Sequence, residues 1–353
     1  KPVFAALRLP GEAASVVLLR PLSGSAALAA VSDVMARMGA DSRAARLCCV
    51  ISGASETVFF TASLYLGAAD VKRARHAVPA ALLAYAAGVL AAARLVCVGA
   101  AAVDSRLAVR TYTIPAPQLS APLRLALITD FHSCDYGAGQ AQLLSALEAA
   151  QPDLVLLGGD IFDDDAPGAN TLELIPLLLQ RWSCCYVTGN HEWRTGRAEA
   201  LKAWFSAQGV TVLAGDCTLF SKDGAAIALC GVDDPAVGEQ AWAAQLERAS
   251  AQRPEGVVSL LLSHRPERIE TYLSYGFDVI LAGHAHGGQW RLPGLINGLA
   301  APNQGLFPRY AGGRYDLEGT VLVVSRGLAR ETTRLPRIFN RPELVLLDLV
   351  PDA

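Results

Sequence analysis

Asp130 and His132 follow the apolar run LRLALIT, Asp160 and Asp163 follow PDLVLLGG, and Asn190 with His191 follows SCCYVTG. His264 closes VVSLLLS, and His284 with His286 closes FDVILAG. The chain has six histidines, and all but His76 stand in these places. Singly, each motif is ordinary: DFH suits a helix cap or a turn, GGD a tight turn, and GNHE a loop whose Asn favours positive φ. Together they crowd carboxylates, imidazoles and a carboxamide, which are costly to bury unless divalent cations compensate. Asp, His and Asn are hard and borderline ligands suited to Mn, Fe or Zn, and no thiolate is needed. A carboxylate can bridge two ions about 3.5–4 Å apart, and such a pair deprotonates a bridging water and clamps a phosphoryl group. The chemistry this points to is hydrolysis at a dinuclear metal centre.

The elements that must position these residues alternate. LRLALITD reads as a buried strand, QAQLLSALEAA as an amphipathic helix, PDLVLLGGD as a strand, TLELIPLLLQ as a helix and SCCYVTGN as a strand. Such alternation implies an α/β unit with crossovers and a largely parallel sheet. Further strands are predicted at 210–213, 226–231, 257–263, 278–282, 320–325 and 344–349. The runs near 217–231 and 320–349 lack helices, so a mixed or second sheet is expected. Ligands in open α/β sheets gather beyond the carboxyl ends of strands, which is where all five motifs fall.

In this order DFH, GGDIFD, GNHE, LLSHRPE and GHAHGGQ resemble the five motifs of the calcineurin-like metallophosphoesterases, over roughly residues 120–350. NGLAAPNQG, SRGL and NRPELVLLDL are similar to a bacterial branch of that family. The resemblance implies a double β-sandwich flanked by helices, and phosphoester hydrolysis by a metal-bound hydroxide without a covalent enzyme intermediate. It places Asp130, His132 and His286 on one metal and Asn190, His264 and His284 on the other, with Asp160 bridging. It also makes His191 the acid beside the leaving oxygen, oriented by Glu192, and Asp163 a residue that orients a ligand.

Other residues carry two readings each. Arg265 and Arg326 follow strand ends and suit a phosphate or an ion pair equally. Asp164 and Asp165 read as a solvated loop. Trp193 and Trp290 read as packed loop anchors or pocket walls, and Tyr136 with the loop 292–317 as a substrate-facing lid.

The 353 residues exceed one average domain, and a net charge of −3 does not indicate nucleic-acid binding. Composition shifts near residue 104, giving an N-terminal helical segment (1–103), a linker (104–121) whose prolines bar helix, and the phosphoesterase unit (122–353). Residues 77–103 are long enough to cross a bilayer, which takes about 20 apolar residues, although Arg94 interrupts them. Residues 47–69 carry SGASET at their centre. They read as a buried helix of a soluble unit, or as a broken membrane helix whose freed backbone groups and Glu56 line a polar site.

LLRPLSGSAALAAVSDV and SGASETVFFTASLYLGAADVKRARHAVPAALLA resemble the closing part of the spore maturation protein B family, membrane proteins of the gate or nucleoside-recognition group. That likeness implies membrane association and a second functional reading: a transport or sporulation component whose phosphoesterase-like unit regulates or scaffolds. The join is a gene fusion or two neighbouring genes read as one. The chain opens on Lys1, so its native N-terminus is expected upstream. Lys72, Arg73 and Arg75 lie at the tip of the expected hairpin, and Arg37, Arg43, Arg46, Arg106 and Arg110 at its ends, which by a small margin places the phosphoesterase on the cytoplasmic side. Eight cysteines without a framework read as free thiols, in agreement. The expected substrate is a phosphorylated small molecule or a lipid-linked phosphate.

Overall fold

The computed structural model describes residues 9–165, 168–330 and 336–351. It falls into two compact units, Lys1–Ala102 and Val103–Ala353.

In the N-terminal unit, helices cover Ala14–Leu19, Gly24–Met38, Arg43–Gly53, Val58–Ala68 and Ala77–Ala102. Ser23 and Ser42 cap their helices by accepting from the N–H of Ala26 and Ala45. A small core forms from Val16, Val31, Val34, Leu47, Cys48, Ile51 and Val89. The SGASET stretch breaks the helix as its composition anticipated. The carbonyl freed at Ser55 accepts from the Arg20 guanidinium. Stretches 43–68 and 77–102 are long and apolar enough to cross a membrane. Helix 77–102 leaves Leu83, Leu95 and Val98 exposed rather than packed in a core. Within 47–69, Leu47, Cys48 and Ile51 are buried, whereas Phe60, Leu64 and Tyr65 are exposed.

The second unit is a sandwich of two six-stranded sheets. Its strands are β1 (Ala108–Pro115), β2 (Leu123–Ile128), β3 (Leu154–Gly158), β4 (Cys184–Val187), β5 (Thr211–Val212), β6 (Asp216–Lys222) and β7 (Ala225–Gly231), then β8 (Val258–Leu262), β9 (Val279–Ala282), β10 (Ala300–Ala301), β11 (Gly305–Leu306), β12 (Gly313–Leu317), β13 (Thr320–Val324) and β14 (Glu343–Val350). One sheet runs β1-β14-β2-β3-β4-β5, the other β12-β13-β9-β8-β7-β6, and β10 pairs with β11. β2 to β5 are mutually parallel, as are β7, β8, β9 and β13; β14 runs antiparallel to β2, β6 to β7 and β12 to β13.

Strand periodicity sorts the side chains. Leu123, Leu125 and Leu127 of β2 meet Leu260 and Leu262 of β8 between the sheets. The alternate residues Ala126 and Ile128 face the helices Ala141–Ala150 and Ala169–Leu179. Leu261 likewise turns outward onto Trp242, Leu246 and Tyr272. The result is a double β-sandwich flanked by helices.

Two expectations need correction. Residues 108–115, inside the expected linker, are a strand paired in parallel with β14 over eight positions. Its prolines bar helix but stand at or beyond the strand end, where a missing N–H costs no ladder bond. Cys217 and Cys230, read as free thiols, are joined by a disulfide. They are thirteen residues apart with no motif to mark them, and the β6–β7 register alone brings them opposite each other. Cys48, Cys49, Cys97, Cys184 and Cys185 are free thiols.

Because β14 carries β1 on one side and β2 on the other, a phosphoesterase unit begun at residue 122 exposes a bare β14 edge. Such a chain is expected to unfold at lower urea concentration, or to aggregate, compared with one begun at residue 103. Urea unfolding with size-exclusion chromatography checks this.

Candidate metal centre

The carboxyl ends of strands from both sheets converge. Asp130 N–H donates to Gly159 O at 3.0 Å, and His132 N–H to Asp160 O at 3.0 Å, tying the end of β2 to that of β3. His284 N–H, beyond β9, donates to Asp130 Oδ1 at 3.0 Å. His264 Nδ1, beyond β8, donates to Gly158 O at 2.8 Å.

The backbone bends sharply to achieve this. Asp130, His132, Asp160, His284 and His286 have φ of 50°, 48°, 51°, 64° and 46°. Non-glycine residues enter this region at a cost of about 1–3 kcal/mol each, and persist where surrounding structure imposes it. Two glycines make room. A Cβ on Gly283 would lie 2.6 Å from Asp130 Oδ2, and one on Gly287, at φ 63°, 2.3 Å from Asn340 Oδ1.

Asp130, Asp160 and His264 have essentially no exposed surface, and His132, Asn190, His284 and His286 are buried. Ligand atoms of Asp130, His132 and His286 lie within 4.8 Å of one another, and so do those of Asp160, His264 and His284. Two histidines separated by one residue thus belong to different groups, because the chain turns between them. Asp160 Oδ2 is the hub, 3.0 Å from His264 Nε2, 3.9 Å from His132 Nε2 and 4.0 Å from His191 Nε2.

The fit to metal ions is seen in the atoms left over. His132 Nε2, Asp160 Oδ2, Asn190 Oδ1 and His264 Nε2 are buried and make no hydrogen bond. Leaving polar atoms so is costly, and cations supply the missing partner. Burial opposes ionisation of Asp160, yet His264, His132 and His191 hold its carboxyl well below the usual range. Burial pushes His286 down to about 3, with His132 and Arg337 adding to it. Burial, His264 and Arg265 push His284 down as well. Both rings are therefore neutral and able to ligate.

Partners behind the ligands fix their orientation. Asp163, held at about 2 against burial by His132, accepts from His132 Nδ1 at 2.7 Å and leaves Nε2 for a metal. His284 Nε2 meets Asn303 Oδ1 at 2.8 Å, which leaves Nδ1.

Three readings change here, those of Glu192, Asp164 and Tyr136, and for Arg265 and Arg326 the ion pair holds. Glu192 does not orient His191; its carboxylate accepts from the N–H of Asp160, Ile161, Phe162 and Gly189 at 2.8–3.1 Å. It therefore holds the loop after β3 against the loop after β4. Asp164, read as solvated, takes the role instead, 2.5 Å from His191 Nδ1 and 3.1 Å from Arg194. Arg265 grips buried Asp234 at 2.5 and 3.1 Å, and Arg326 pairs with buried Glu343, 2.6 Å from its Nε, so neither fork is open to a phosphate. Tyr136 is no lid residue: it is fully buried and donates to Leu328 O at 2.6 Å.

Trp193 is a loop anchor, donating to Thr188 Oγ1 at 2.9 Å. Asp234, Asn303 and Arg337 were missed, since each lies outside the five motifs and only tertiary contacts mark it.

A model of the calcineurin-like phosphoesterases matches residues 123–288, which spans all the ligand motifs. The uncharacterized metallophosphoesterase YkuE of Bacillus subtilis is 30% identical over 235 residues, covering 64% of this chain and 78% of that protein. The chain belongs to the calcineurin-like phosphoesterase family. As a member it is a metal-dependent phosphoester hydrolase. This phosphoesterase is also 28% identical to the phosphodiesterase YaeI of Escherichia coli, over 65% of this chain and 83% of that one. A different relative matches its N-terminal unit: spore maturation protein B of B. subtilis is 38% identical over 91 residues, 26% of this chain and 51% of that protein.

Replacing Glu192 by Ala leaves four backbone donors buried without an acceptor and is expected to cost about 3 kcal/mol or more, read by urea unfolding. Asp164→Ala is expected to lower kcat about 10- to 100-fold while bound metal, read by elemental analysis, stays unchanged.

Proposed function

We propose that this phosphoesterase works through two divalent ions, Mn, Fe or Zn, and is attached to a membrane through residues 1–103. Asp130, His132 and His286 would hold one ion and Asn190, His264 and His284 the other, with Asp160 shared between them. The observation that carries this reading is the set of buried ligand atoms with no hydrogen-bond partner among the described residues, which a scaffold would have no reason to keep.

When bound, the ions supply an activated water and positive charge to meet phosphoryl oxygens. The chain supplies the rest. Asp163 and the Gly158 carbonyl fix the rings of His132 and His264 so that Nε2 of each faces the centre. Asp164 accepts from His191 Nδ1 and leaves Nε2, 4.0 Å from Asp160 Oδ2, as the ring atom that would pass a proton to a leaving oxygen. Asn190, the first residue of the helix Asn190–Arg194, brings its carboxamide and the neighbouring His191 to the same place.

The substrate is a phosphorylated small molecule or a lipid-linked phosphate. The two apolar helices of the N-terminal unit support membrane attachment. The arginine bias around them favours the cytoplasmic side.

Asp160→Asn is expected to abolish hydrolysis of a chromogenic phosphodiester with Mn²⁺ while the fold is preserved; unchanged activity removes the bridging role. His191→Ala is expected to keep its metal and lose about 100- to 10,000-fold in turnover. If both metals leave instead, His191 is a structural residue.

A further inference from the structure

Directly after the ligand His286, residues 288–307 form a hydrogen-bonded meander with apolar side chains on its surface. Leu299 N–H donates to Trp290 O at 2.8 Å, and Phe307 N–H to Leu299 O at 2.8 Å, so three passes of chain lie side by side. Leu292 N–H donates to Ile296 O at 3.0 Å and closes a further turn. Trp290, Leu292, Leu295, Leu306 and Phe307 are exposed, Leu295 to 81%, Leu306 to 70% and Phe307 to 66%. Single exposed apolar side chains are ordinary on a soluble surface, but five gathered on one loop mark a contact surface.

The same loop borders a cavity of about 470 Å³ lined by Arg110, Arg291 and Arg326 together with Leu295, Asn297 and Phe339. Glu343 neutralises Arg326, and Arg291 donates to Asn297 and to Gly287 O. Arg110 is exposed and has no hydrogen-bonding partner among the described residues. The lining contains no carboxylate. Apolar side chains, an aromatic ring and adjacent guanidiniums match the boundary of an anionic bilayer, where acyl chains, headgroup dipoles and phosphates lie within a few ångströms of each other.

We infer that the loop 290–307 docks on an anionic lipid surface: Trp290, Leu295, Leu306 and Phe307 enter the acyl boundary, and the Arg110–Arg291 cavity takes a phospholipid headgroup. This gives the phosphoesterase unit its own membrane contact, beside any made by residues 1–103, and it does not depend on the metal chemistry.

The test uses the full chain reconstituted into phosphatidylcholine vesicles with or without phosphatidylglycerol, the acyl chains being brominated. All five tryptophans lie in the phosphoesterase unit, so subtracting Trp290→Phe isolates one probe. The Trp290 signal is expected to be quenched at least twofold more with the anionic lipid. Arg110→Ser is expected to remove that difference, and Leu295→Ser with Phe307→Ser to remove the quenching. Circular dichroism is expected to stay unchanged in these variants. No Trp290 quenching, equal quenching in both lipids, or quenching that survives Leu295→Ser with Phe307→Ser would overturn the inference. So would association of copies of the chain through these residues that is indifferent to lipid.

Discussion

Asp130 and Asp160, two carboxylates with no exposed surface, stand among the rings of His132, His264, His284 and His286 where two sheets end. Charges so placed lose most of their hydration, and the imidazoles alone leave several ligand atoms unmatched. Divalent ions resolve that imbalance. Much of the local structure in the phosphoesterase unit serves to hold these groups together against their tendency to separate or to protonate.

The devices that hold them are varied but act at one place. Left-handed backbone at five of the proposed ligands turns side chains inward that a regular strand would direct elsewhere. Glycine at 283 lets the chain pass close over Asp130. Glu192 ties the loops after β3 and β4 together through four N–H groups. Behind them the inter-sheet core of Leu125, Leu127, Leu260 and Leu262 fixes the strand ends, so local strain at the ligands is offset by ordinary packing below.

The residues proposed to hold metal stood out in the sequence because their types are rare and their places regular, and the structure brings them together: five histidines at strand ends, four of them in that set, cannot be explained by turns alone. The central strands were legible for the same reason, since buried parallel strands read as short apolar runs. β1 was not, because its partner β14 is more than two hundred residues away and its own side chains are largely exposed, which leaves weak alternation in a proline-rich stretch. That Asp164 takes the role expected of Glu192 was also invisible. Glu192 lies on the helix Asn190–Arg194 and Asp164 on the loop after β3, and only their tertiary contacts decide which carboxylate meets the His191 ring and which a row of backbone N–H groups. The Cys217–Cys230 pair depends on register in the same way.

Anomalous diffraction from crystals grown with Mn²⁺ tests the central claim most directly. The account predicts two separate peaks, one touching Asp130, His132 and His286, the other touching Asn190, His264 and His284, with Asp160 Oδ2 in contact with both. A single peak, or one ion held by His284 and His286 together, would contradict it.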